Sequence, residues 1–186
     1  KEKWEDGDII TFRIPLNIRM ERRFNNSVSL MRGPLCFALR IEKEYRKTKL
    51  SYDNYGYKGS VDWEIRPLSD WNYGLLIDPV RMMRGIEVIE NDLTEYPFAD
   101  KGDMIWDEET GSYSAWHREA PVIINIRGMK IPGWTIKDNS AALPPLSPVK
   151  PGGSIETKQL VPYGSAKLRI TEFPVIDVTL IEDVIR

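Results

Sequence analysis

The chain has 186 residues, 41% of them hydrophobic and 10% aromatic, enough apolar material for a real core and too much for a disordered segment. Its 26 basic and 28 acidic residues leave a net charge of −2, and with no basic block to neutralise phosphates, nucleic acid is not an expected partner. No apolar run approaches the roughly 20 residues of a membrane-spanning helix, so no membrane partner is expected.

In chain order, the first signal runs from Asp8 to Phe24. Ile10, Phe12, Ile14, Leu16, Ile18 and Met20 recur at period two, with Thr11, Arg13, Asn17 and Arg19 between them. That predicts one long half-buried strand, bent or placed at an edge by Pro15. Asn25-Asn26 supplies a turn and Val28–Met31 the returning strand. Arg32-Gly33-Pro34 breaks the run, and Leu35, Phe37, Leu39 and Ile41 resume it in phase. Residues 42–60, rich in Lys, Tyr, Asn and Gly, read as a loop. Further strands are expected over Val61–Arg66, Tyr73–Ile77, Ile86–Ile89 and Val122–Ile126, with turns and a short strand between Pro97 and Glu119. Four prolines between Pro144 and Pro151 mark residues 138–154 as an extended, exposed connection. Glu156–Val161 and Lys167–Ile170 are expected as the last strands, with Val175–Ile181 as a third candidate. Nothing has a sustained helical period with caps. Short strands punctuated by Gly and Pro predict an all-β fold, an antiparallel, jelly-roll-like β-sandwich.

Chemistry is harder to find. Hydrolysis needs a nucleophile with a base, two carboxylates facing one bond, or a metal. His117 is the single histidine and Cys36 the single cysteine, 81 positions apart, so they make no zinc motif. Cys36 reads as a structural thiol, and with no second cysteine an intrachain disulfide is excluded. Glu87 and Glu90-Asn91-Asp92 read as a solvated strand end rather than a calcium loop. There is no phosphate-cradling glycine loop, and Gly164-Ser165 lacks the second glycine of a nucleophile elbow. Aromatic residues remain. Most of Trp4, Trp63, Trp71, Trp106, Trp116 and Trp134 read as packing residues. Tyr52, Tyr55 and Tyr57 in the polar loop, together with Trp71, are the candidate sugar-contact residues.

Several strings in order resemble one family. They are Trp4-Glu5-Asp6-Gly7-Asp8 with Pro15-Leu16; Arg32-Gly33-Pro34-Leu35 with the strand after it; Trp71-Asn72-Tyr73; Ala120-Pro121-Val122; Ile131-Pro132-Gly133-Trp134; and Leu160-Val161-Pro162-Tyr163-Gly164 running on to Leu168-Arg169-Ile170 and Phe173-Pro174. Together they resemble the C-terminal β-sandwich region of glycoside hydrolase family 127, the β-L-arabinofuranosidase-like proteins. The resemblance implies a parent whose (α/α)6 barrel carries a zinc-bound cysteine nucleophile and a glutamate acid/base. Nothing of this chain matches that barrel, so no catalytic residue, metal or cofactor is carried over to it. Ser165 stands where many relatives have cysteine.

The resemblance also implies two interleaved lobes: residues 1–43 and 155–186 as an outer β-sandwich lobe, and 44–154 as an inserted β-rich lobe. An outer lobe lacking its first strands leaves an open sheet edge, which predicts a homodimer or a compromised edge. Asp8 and Arg169 read as ties between lobes; Arg32, Trp71 and Arg169 are the expected contacts to the barrel domain. The chain opens on Lys1 rather than Met, which reads as processing or as a piece of a longer polypeptide; a periplasmic or secreted bacterial location is favoured over the cytoplasm. The expected function is a non-catalytic accessory module of a glycoside hydrolase acting on arabinofuranose-containing or related plant glycans. The alternatives are a carbohydrate-binding module using exposed Trp and Tyr residues, and an enzyme working through an unrecognised carboxylate pair.

Overall fold

The alternation that starts at Asp8 becomes a hydrogen-bonded ladder only at Ile18. This is seen in a computed structural model, which describes residues 3–12, 14–47, 63–77, 84–93, 98, 100, 101, 104–107, 112–115 and 119–181. Strand β1 (Ile18–Arg22) pairs antiparallel with β2 (Val28–Arg32) through a turn in which Asn25 and Asn26 take the left-handed conformation that asparagine tolerates. A two-residue loop follows, with Gly33 at φ 55° as the first central residue of a type II′ hairpin requires. It returns the chain as β3 (Leu35–Leu39).

Residues 42–60, expected as a loop, contain strand β4 (Lys43–Lys47), which pairs with β5 (Trp63–Pro67) and sets Glu44 opposite Arg66. Opposite charges across a ladder stabilise such a polar hairpin without a core. The chain continues through β6 (Tyr73–Leu75), β7 (Glu87–Glu90), the hairpin β8 (Met104–Asp107) and β9 (Ser112–Ala115), and β10 (Val122–Lys130). The short pair β11 (Ile136–Lys137) and β12 (Ser140–Ala141) precedes the long β13 (Gly152–Pro162).

The main sheet is antiparallel, in the order β1-β2-β3-β13-β10-β6, with β7 also on the outer edge of β10. It curls into a half-barrel, and the fold is all-β and sandwich-like. β13 joins β3 on one side and β10 on the other. Strands from the stretch 44–154 therefore share one sheet with strands from 1–43 and 155–186.

Alternation explains what the sheet encloses. Leu30, Phe37, Leu39, Leu75, Ile124, Ile126 and Leu160 fill its main core with Phe173. On the opposite face Ala38, Ile123 and Val161 form a smaller cluster with Ala120. β3 is thus buried on both sides. Near Gly128, β10 and β6 run so close that a Cβ there would sit 2.8 Å from the Gly74 carbonyl oxygen.

The C-terminal stretch departs from expectation. Lys167–Ile170 forms no ladder; Leu168 and Ile170 instead pack against the main core. Val175–Ile181 makes isolated bridges and a 3-10 turn over Val178–Leu180. Residues 173–176 link the two ends of the sheet: Phe173 exchanges backbone bonds with Val28, and Leu75 with Pro174 and Ile176. The proline-rich stretch is exposed over much of its length but anchored at three points. Pro144, Ser147 and Val149 are buried, because its backbone finds partners in Asn25 and in Val175 and Asp177.

At the N-terminus, Glu5–Asp8 forms a tight turn with Gly7 at φ 100°, closed by the Asp8 N–H on the Glu5 carbonyl and by the Asp8 carboxylate on the Glu5 N–H. The segment after it belongs to no ladder. Ile9, Phe12 and Ile14 are 88%, 81% and 77% exposed. The alternation there describes a strand able to bury one face, but among the described residues no strand stands beside it.

Candidate functional site

Three hollows run together over one region of the molecule. The largest, about 830 Å³, is lined mostly by polar groups from the end of β3, from Asp100 and Glu119, and from β10 and β13. A second, about 610 Å³, shares Leu68, Ser69 and Lys158 with the first and adds Trp71, Tyr73 and Glu156. A third, about 240 Å³, shares Pro67 and Trp71 with the second and adds Asn139, Ser140 and Arg169. Shared lining residues make the three neighbours in a composite trough, with an ionic basin in the largest and an indole in the other two.

Arg40 organises the basin. It follows β3 between the buried Leu39 and Ile41, and a guanidinium in such a run must find partners. Its Nε and Nη2 donate to the two oxygens of Asp100 at 3.2 and 2.8 Å, and Nη1 donates to Gln159 Oε1 at 3.0 Å. Nη2 also binds Glu119, which Lys101 approaches at 3.7 Å. Gln159 Nε2 then donates to Asn125 Oδ1 at 3.3 Å, and Asn125 Nδ2 to Glu87 Oε2 at 2.7 Å. Asp100 is 1% exposed. Its burial raises the carboxyl above the usual range, opposed by the Arg40 charge and by the Lys101 backbone N–H.

The indole end is held as firmly. Trp71 is half-buried and meets Trp134 edge-on, ring centres 5.2 Å apart. Trp134 donates its indole N–H to the Ala142 carbonyl at 2.8 Å. Asn72 fixes the local chain by donating to the Ile131 and Trp134 carbonyls at 2.9 and 3.1 Å. Tyr73 is bonded through its hydroxyl to Glu156, and Lys158 stands 3.9 Å above its ring. Trp71-Asn72-Tyr73 and Ile131–Trp134 are thus two halves of one packing unit.

The structure brings Trp71 and Arg169 together on the smallest hollow. Arg169 is exposed, donates to the Tyr163 carbonyl at 3.2 Å and stacks over that residue's ring at 4.6 Å. Arg32 lies elsewhere, paired with Glu90 of β7. Tyr52, Tyr55 and Tyr57 lie outside the described residues, as does His117. Asp8 closes its own turn. Cys36 is half-buried, and burial raises its thiol. Glu87, Glu90 and Asn91 each have a protein partner: Asn125, Arg32 and the Ala120 carbonyl respectively. Among the described residues no group of three or more His, Cys, Asp or Glu is placed to hold a metal ion.

Sequence reasoning missed the Arg40 cluster. Its one local signal is an arginine between two buried apolar residues; the partners stand 60 to 119 positions away. No family model, curated protein or solved structure matches the chain.

Proposed function

We propose that this chain is an accessory, non-catalytic β-sandwich module of a glycoside-hydrolase-like protein acting on arabinofuranose-containing or related plant glycans, and that it holds glycan in the Arg40–Trp71 trough. The observation that carries the reading is that a polar basin and an indole line neighbouring hollows with residues in common. A sugar ring has an apolar C–H face and a polar rim; the face of an indole suits the first, and acceptors and donors such as Glu119, Asn125 and Gln159 suit the second. The ordered strings that resemble the family 127 sandwich region support this choice of parent and of glycan class.

A cleaving role fits the same residues less well. A glycosidase presents one protonated and one ionised carboxyl to a single bond. Here Asp100 is almost wholly enclosed, and both it and Glu119 are committed to one guanidinium. The test is an intrinsic-fluorescence titration with arabino- and xylo-oligosaccharides, run on the parent sequence and on Trp71→Ala. A saturable change lost in the variant is the expected result. A flat response to every sugar removes the binding role and leaves packing against a catalytic barrel domain.

A further inference from the structure

We propose that residues 9–12 of one copy of this chain add as an antiparallel strand to the free edge of β1 in a second copy, reciprocally, about a two-fold axis at Pro15, with the Glu5–Asp8 turn at the end of the added strand. Among the described residues β1 ends the sheet and pairs on one side only. Which of its backbone groups face outward follows from the β1–β2 ladder. Arg23 donates to the Ser27 carbonyl at 2.8 Å, whereas Val28 exchanges its bonds with Phe173 and not with Arg22. Bonded and non-bonded pairs alternate along an antiparallel ladder. Ile18, Met20 and Arg22 therefore turn their N–H and C=O groups to the open edge. Continued in the same phase, Pro15 falls among the inward-turned positions, so its missing N–H takes nothing from that edge.

The side chains select the register and the occupant. With the axis at Pro15, Ile14 faces Leu16, Phe12 faces Ile18, Ile10 faces Met20, and Asp8 faces Arg22. Ile18 and Met20 already pack at the rim of the main core, so the incoming Phe12 and Ile10 extend that layer. Arg19 and Arg23 both bind Glu21, while Arg22 is exposed and makes no ion pair among the described residues. Asp8 supplies the opposite charge. Leu16 lies against the Gly33 turn. Ile10, Phe12, Ile14 and Leu16 are 53%, 81%, 77% and 44% exposed, so each arm carries an apolar face, and two arms with the two edges they cover supply the apolar surface for an interface that must bury roughly 1,200 Å².

The proposal stands apart from the glycan reading. Its test is light scattering behind size exclusion over a concentration series. The parent chain is expected to be a dimer, Asp8→Arg or Arg22→Asp alone to weaken it at least 10-fold, and an equimolar mixture of the two variants to recover it, since each heterodimer restores two opposite-charge pairs. Both positions in the swap are exposed, so unchanged urea midpoints should separate lost association from lost folding. A chain that is monomeric throughout overturns the proposal, including by covering the arm with another segment of a longer polypeptide. So does a dimer indifferent to both charge reversals, or one that the mixture fails to restore.

Discussion

Replacing Arg40 by Met should be among the most damaging single changes in the chain. Methionine keeps much of the aliphatic stem and removes the charge. The Asp100 side chain, 2% exposed, then loses both guanidinium bonds and the opposing charge. Glu119 has a large exposed fraction and can turn to water; Asp100 cannot. Removing one partner of a buried ion pair costs about 3–5 kcal/mol, a large part of the roughly 5–15 kcal/mol that holds a domain together. For a chain of this length that corresponds to a fall in Tm of roughly 6–20 °C. The assay is urea unfolding followed by intrinsic tryptophan fluorescence. The cause can be isolated with a second change. Asp100→Asn in the Arg40→Met background removes the buried charge that Arg40 opposed and should return a substantial part of the loss. A loss below about 1 kcal/mol, the worth of an exposed pair, would refute the argument. So would a double variant no more stable than Arg40→Met alone.

Two further outcomes follow from single groups. Because burial raises the Asp100 carboxyl above its ordinary value of 3.8, the folded chain keeps that proton to higher pH than the unfolded chain does. Its contribution to stability is complete below the unfolded value and lost as pH rises through the folded one; urea midpoints measured from about pH 4 upward should fall less steeply in Asp100→Asn than in the parent. Ser165 is fully buried, and its hydroxyl has no hydrogen-bond partner among the described residues. An unpaired buried polar group costs about 1–3 kcal/mol, so Ser165→Ala should hold or raise the Tm, and a clear loss would mean that the hydroxyl is satisfied after all.

The strands that the sequence made legible are those whose alternation meets a partner on the same sheet. Phe37, Leu39 and Ile41 are in phase and buried, and so are Ile124 and Ile126 with Leu160 opposite. Turn chemistry was equally local: Asn25-Asn26 and Gly33-Pro34 need only their own backbone preferences. Where alternation was present without a neighbour, as from Ile9 to Leu16, the period described a capacity and the exposure decided the outcome. The opposite error arose at Lys43–Lys47, where charge suggested a loop but cross-strand pairing with β5 supplied a ladder. At Leu168 and Ile170 burial came without a strand, through contact with a core built elsewhere.

The trough was half legible for the same reason. Trp71 and Arg169 could be singled out because each sits in a distinctive string, though nothing in those strings placed them on one hollow. Arg40 carries a different kind of information. A charged residue between Leu39 and Ile41 demands compensation wherever the chain can provide it, and that demand is readable before any partner is known. Gln159 and Asn125 are brought to Arg40 by the β3–β13–β10 pairing, while Asp100 and Glu119 come from segments outside the strands. The cluster therefore depends on the register of the ladder itself. A slip of one residue in β13 would turn Gln159 to the other face and set Leu160 against the guanidinium, so the ionic basin and the apolar core enforce the same alignment.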